Sequence, residues 1–316
     1  MASDETLELG DLGLELGGTL PAARLGYRTH GTLSADGDNA VLFPHMYSGT
    51  PSSLDAWIGP GRALDPERWF VICPAQFGAG SSSSPSADRS GEAFPELTIG
   101  DDVTAQHRLV VEHLGIRRLA LVLGFSMGGQ QAYEWAVRFP DMVERLVVFA
   151  ALARVTPGNE LLVAAAADAL ASGDTAPHAR LWAATGLSAE LFRREAWREA
   201  GFTSVRDLVS RLFVEDFARL APADLLVQLA KWRRADVARH TAWDLGAALG
   251  RITARVSVAA FSHDSWFPTD DCRAEQELIP GSSFQVVDSV WGHYAWGMTA
   301  AETAQIEQIV AAALST

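Results

Sequence analysis

Gly124-Phe-Ser126-Met-Gly128 sets a serine between two glycines, each two positions away. A serine hydroxyl becomes a nucleophile only when a base takes its proton, and glycines at this spacing let the serine occupy a sharp strand-to-helix turn. The flanking residues suit that turn: the apolar run at 119–123 reads as a buried strand and 129–139 reads as a helix. The helix would aim its positive end at an oxyanion forming beside the serine.

The base and its orienting acid are expected later in the chain, in the order Ser, Asp or Glu, His. After the apolar run at 256–261 comes Ser262-His-Asp264, and after that at 284–287 comes Asp288-Ser-Val-Trp-Gly-His293. Both lie just past the carboxyl ends of predicted strands, where open α/β sheets place their sites. Asp264 is therefore read as the orienting acid and His293 as the general base. His263 sits on the acid's loop rather than the base's, Asp270 and Asp271 read as solvated charges, and His107 and His113 fall in a helical stretch with a structural reading. No histidine pair has metal-ligand spacing, so no metal is expected. An oxyanion hole needs two backbone N–H groups. Met127, directly after the nucleophile, supplies one, and Tyr47 in the loop His45-Met-Tyr47-Ser-Gly-Thr50 is the candidate for the other.

These residues need a scaffold. Short apolar runs at 41–43, 69–73, 119–123, 146–149, 256–261 and 284–287 alternate with stretches of helical period, which predicts an α/β fold with a mostly parallel sheet and crossover helices. The first forty residues read instead as antiparallel strands and turns. From 152 to 250 strand signals vanish and helix signals follow one another, so the division expected is a core of 1–151 and 251–316 with a helical cap at 152–250. Ser204 with Asp207 and Thr241 with Asp244 have the spacing of helix-opening capping boxes, and Pro222 suits a first helical turn. Within 152–250 there are 12 basic and 12 acidic residues, so the net charge of −14 resides wholly outside the cap. That acidity argues against a phosphate-tracking nucleic-acid binder. No apolar run reaches membrane-spanning length, the N-terminus is acidic where a secretory signal would be basic, and the two cysteines form no framework. A cytoplasmic protein acting on a small molecule, without nucleic acid or membrane as partner, is expected.

Several motifs together resemble the homoserine O-acetyltransferase branch of the α/β-hydrolase superfamily: Asn39-Ala-Val-Leu-Phe-x-His45, Gly59-Pro-Gly-x-Ala-Leu-Asp65, Phe70-Val-Ile-Cys73, Phe94-Pro-x-x-Thr-Ile-x-Asp101, Ser126-Met-Gly-Gly and Asp264-x-x-Phe-Pro268. The resemblance implies an α/β-hydrolase fold, an acyl-enzyme on Ser126 completed by Asp264 and His293, and homodimers built through the helical insertion. The chain departs from the branch where an amino-acid acceptor would bind. Tyr294 stands where those acetyltransferases carry an aspartate for the substrate ammonium, and Val163 where they carry an arginine for its carboxylate. Gln76-Phe-Gly-Ala-Gly-Ser-Ser-Ser-Ser-Pro85 replaces their glycine–cysteine loop. Two charge-assisted contacts to a zwitterion are thereby lost.

The expected function is hydrolysis of a short-chain, acetyl-type ester without a cofactor. The alternative is O-acyl transfer to a small alcohol, with acyl-CoA as co-substrate; Lys231-Trp-Arg-Arg234 would then be a candidate for a coenzyme phosphate, against a plain reading as a solvated helix face. A non-catalytic binding protein on the same fold is the third reading. Trp266 and Trp296, within a few residues of Asp264 and His293, are expected with Tyr294 to wall an apolar substrate pocket.

Overall fold

A computed structural model describes residues 3–88 and 92–315, so residues 1, 2 and 316 at the ends of the expected core lie outside the described residues. An eight-stranded sheet runs in the order β1-β2-β4-β3-β5-β6-β7-β8. β1 (Ser3–Gly13) and β2 (Thr19–His30) form a long antiparallel hairpin, and β2 also meets β4 (Phe70–Pro74) antiparallel. The antiparallel strands expected at the start are this hairpin, the register of β1 shifting on either side of Gly10. β3 (Ala40–Leu42), β4, β5 (Leu121–Phe125), β6 (Arg145–Phe149), β7 (Arg255–Phe261) and β8 (Ser283–Val287) are all parallel. Every residue of β3 and β5 is buried, the consequence of covering both faces with helices.

On the core side, α1 (Ile99–His107) precedes β5 and α2 (Met127–Arg138) follows it. Residues 127–137 of α2 are all buried. Its buried polar side chains bond Gln106 of α1: Gln106 Nε2 donates to Gln131 Oε1 at 2.6 Å, and Trp135 Nε1 donates to Gln106 Oε1 at 2.8 Å.

Between β6 and β7 come α3 (Pro157–Asp168), α4 (Thr175–Gly186), α5 (Ala189–Arg193), α6 (Val205–Val209), α7 (Glu215–Phe217), α8 (Pro222–Arg233) and α9 (Leu245–Leu249), with no named strand among the described residues. α10 (Thr269–Gln276) and α11 (Ala300–Ser315) complete the chain. Ser204 caps α6 by accepting from Asp207 N, and Pro222 opens α8. Thr241 does not cap α9; Asp244 does, accepting from Ala247 N, while the Thr241 hydroxyl turns back to the Ala238 and Asp244 carbonyls. α4 is the helix the apolar pattern does not announce, because Pro177, His178 and Arg180 interrupt it; Asp174, accepting from Ala176 N, is its start signal. Among the described residues no helix is long and apolar enough to cross a membrane.

The helices between β6 and β7 are tied to the core by charge as well as by apolar packing. Lys231 on α8 is neither solvated nor open to a phosphate: it is fully buried, with Nζ 2.6 Å from Asp102 Oδ2 and 2.7 Å from the Phe77 carbonyl. Burial pushes the Asp102 carboxyl up to about 6 and the Lys231 amine down, each opposed by the attraction of the other. Breaking such a pair leaves an uncompensated buried charge. Lys231→Met should therefore cost about 3–5 kcal/mol in denaturant unfolding. Adding Asp102→Asn, which keeps an acceptor for the Phe77 N–H now bonded at 2.8 Å, should recover part of that loss.

Candidate active site

The site forms where four strands end. Ser126 follows β5, Asp264 follows β7, His293 follows β8, and the loop carrying Tyr47 follows β3. Ser126 has φ 55° and ψ −126°, a conformation L side chains rarely adopt. The two glycines make the turn possible. A Cβ on Gly124 would lie 2.2 Å from the Gly128 carbonyl oxygen, and one on Gly128 would lie 2.3 Å from that of Pro44.

The turn brings Ser126 Oγ to 3.0 Å from His293 Nε2, and His293 Nδ1 lies 2.8 Å from Asp264 Oδ2. The other carboxylate oxygen, Oδ1, accepts from Trp266 N at 2.8 Å and Phe267 N at 3.1 Å. Asp264 has one oxygen fixed by the backbone and one aimed at the imidazole, so Nδ1 carries the proton and Nε2 is left to accept from the serine. All three side chains are buried. The loop before His293 is braced by Ser289: its N–H donates to Ser262 Oγ, its hydroxyl bonds the buried Glu302, and that hydroxyl accepts from Trp291 N.

Met127 N–H is the first of α2 and has no preceding helical carbonyl to bond. In the facing loop, Ser48 N donates to Gln228 Oε1 at 3.1 Å, whereas no group among the described residues accepts from Tyr47 N. His45 fastens this loop from below. Its Nδ1–H donates to the Met46 carbonyl at 2.8 Å and its Nε2 accepts from Gln76 N at 3.2 Å; burial holds its pKa down to about 4.

A cavity of about 250 Å³ opens on Ser126 and His293, walled by Tyr47, Trp182, Tyr294 and Trp296 among others. Trp296 stacks on Phe125 at 4.8 Å, and Tyr294 packs edge-on against Phe213. Trp266 does not line this cavity, contrary to the sequence expectation. It lies behind Trp182, stacked on it at 4.1 Å and 4°, and its contribution is the backbone N–H on Asp264. The sequence reading missed Met46, Ser53 and Met298 from the core and, from the helices between β6 and β7, Leu212, Asp216 and Phe217, all of which line the cavity, and His178, which braces it from behind. Short helices with mixed faces give no periodic signal for those on the helices.

Val163 is also misplaced by the sequence expectation. It lines a separate groove of about 1080 Å³ between α3 and α8, so an arginine there would not face Ser126. Arg154, Arg233, Arg234 and Arg239 of that groove are each paired, with Asp236, Glu160, Glu96 and Glu134. His107 stacks on Phe139 and His113 bonds the Tyr27 hydroxyl, both structural roles; Asp270 and Asp271 occupy the first turn of α10.

Residues 39–296 match the family model described as alpha/beta hydrolase fold, and the chain belongs to that family. It is similar to an ethyl acetate hydrolase of Pseudomonas veronii, 41% identical over 96% of this chain and 93% of the other. The crystal structure of an acetylester hydrolase from Corynebacterium glutamicum is 38% identical and superposes with a TM-score of 0.96, covering 99% of this chain and 96% of that one. A homoserine O-acetyltransferase of Leifsonia xyli is 34% identical over 86% of this chain and 78% of its own. The protein is an enzyme, an esterase or a closely related acetyltransferase.

Gly128→Ala tests the turn. Its new Cβ meets backbone, which cannot step aside as a flexible side chain would, so a loss of about 3 kcal/mol or more in thermal or denaturant unfolding is expected. Gly158→Ala, at the open start of α3, should leave stability unchanged or slightly raised.

Proposed function

We propose that the protein is a serine esterase that hydrolyses short, acetyl-type esters through an acyl-enzyme on Ser126. The observation that carries this reading is His293 held between Asp264 and Ser126 at 2.8 and 3.0 Å, inside a small cavity walled largely by aromatic rings. Ser126 Oγ attacks the ester carbonyl as its proton passes to His293 Nε2. The N–H groups of Met127 and Tyr47 hold the oxyanion, and Asp264 stabilises the imidazolium. The C–O bond to the alcohol breaks as His293 returns the proton to the leaving oxygen. Water, deprotonated by the same nitrogen, then releases the carboxylic acid and restores the serine.

The helices of 152–250 act here as a cap that sets the shape of the pocket. No lysine or arginine lines the cavity among the described residues, which leaves a substrate carboxylate without a cationic partner. That, and the 41% identity to an ethyl acetate hydrolase, favours water over homoserine as acyl acceptor. Acyl transfer from acyl-CoA to a small alcohol is the second reading, supported by the 34% identity to an acetyltransferase. The exposed Leu226 and Trp243, at the rim of the groove beside α8, support a homodimer formed through the cap.

The test is turnover of p-nitrophenyl acetate by the wild type and by Ser126→Ala, with and without homoserine or serine, with products identified by mass spectrometry. Ser126→Ala should lower kcat at least about a thousandfold. Free acetate should appear at a rate independent of the added alcohol. Acetate transferred to the alcohol at the expense of hydrolysis would replace this reading with the acyltransferase, and activity surviving in Ser126→Ala would sink both.

A further inference from the structure

Tyr47 takes part in the proposed reaction only through its backbone N–H, yet its side chain is tightly held. The hydroxyl lies 3.0 Å from His178 Nε2, and the ring stacks on Trp182 at 5.4 Å and 16°. His178 is fully buried on α4 and does not line the cavity. Its Nδ1–H donates to the Ala166 carbonyl at 2.8 Å, which leaves Nε2 as the bare nitrogen. That nitrogen faces two donors, the Tyr47 hydroxyl and the Trp182 indole N–H, the latter at 2.9 Å. Burial holds the ring's pKa down to about 4, so near neutral pH it stays an uncharged acceptor.

The two groups joined at this nitrogen lead to opposite sides of the reaction centre. Tyr47 leads to the oxyanion. Trp182 leads through its stack on Trp266 to the backbone N–H that holds Asp264. The hydroxyl–imidazole bond is buried, joins two segments 131 residues apart, and crosses from the loop after β3 to a helix of the cap.

We propose that His178 is a positioning residue for ester hydrolysis: by accepting from both Tyr47 and Trp182 it sets the loop that presents the second oxyanion donor. The cap is thereby part of the catalytic apparatus as well as a wall of the pocket. This rests on the reading of Ser126 as nucleophile and of Met127 and Tyr47 as oxyanion donors.

The experiment compares His178→Leu, His178→Gln, Tyr47→Phe and the double variant His178→Leu with Tyr47→Phe on p-nitrophenyl acetate. The fraction of reactive Ser126 is counted by stoichiometric fluorophosphonate labelling. A misplaced oxyanion donor affects the transition state more than the bound ester, so His178→Leu and Tyr47→Phe should each lower kcat about tenfold with KM within about twofold. Losses in the double variant should not multiply, because both singles remove the same Tyr47–His178 bond. His178→Gln, which restores an acceptor, should recover most of the rate. Wild-type kcat in Tyr47→Phe and His178→Leu, with only the melting temperature lowered, would overturn the proposal, as would losses that multiply. Tyr47→Phe removes a single oxygen, so it decides the matter even where His178→Leu does not fold. Ser126→Ala separates the two failures: an inactive Ser126→Ala beside a fully active Tyr47→Phe defeats this inference alone, whereas an active Ser126→Ala defeats the reading beneath it.

Discussion

The site depends on one strained residue. Ser126 is held at φ 55° between a fully buried strand and a helix buried from Met127 to Val137. A conformation of this kind costs on the order of 1–3 kcal/mol, and persists only where its surroundings leave no alternative. Here the strand is locked between two parallel neighbours, and the glycines on either side of the serine bring backbone to within contact of backbone. The parallel sheet does the rest of the positioning, because the ends of β7 and β8 bring Asp264 and His293 to the edge where β5 delivers Ser126.

Polar contacts, rather than apolar area alone, join the helices between β6 and β7 to the rest of the chain. Lys231 reaches from α8 to Asp102 at 2.6 Å and to the carbonyl of Phe77, next to the Gln76 that bonds His45 beneath the loop carrying Tyr47. Glu275 on α10 accepts from the N–H groups of Ala153 and Arg154 just after β6, where the chain leaves the core. Burial raises that carboxyl to about 8, against the pull of the two N–H donors. Buried polar contacts are specific in distance and direction in a way that apolar packing is not, so they favour one placement of these helices.

How much of this the sequence reveals follows from the range of each interaction. The strand–serine–helix turn is local, and so are the runs that end at Asp264 and His293, which makes the α/β fold and the three residues readable from spacing. Trp266 was legible as a neighbour of the acid but not as a backbone donor, since the side-chain type says nothing about which atom faces the site. Val163 and Lys231 misled for the opposite reason: α3 and α8 present faces whose surroundings depend on how the cap settles on the core. Of the partners of His178 only Trp182 is local, four residues on; Tyr47 and Ala166, which settle its role, lie 131 and 12 residues away, out of reach of any spacing rule.

The face-to-face stack of Trp182 on Trp266, at 4.1 Å and 4°, joins one indole from the cap to one from the loop of the acid. Indoles this close and parallel couple their excited states, which gives the near-ultraviolet circular dichroism a component that depends on both being in register. Separating Trp182 from Trp266 would uncouple them. The protein therefore carries a native optical reporter of how α4 sits against the loop of Asp264, placed one stacking layer behind the cavity.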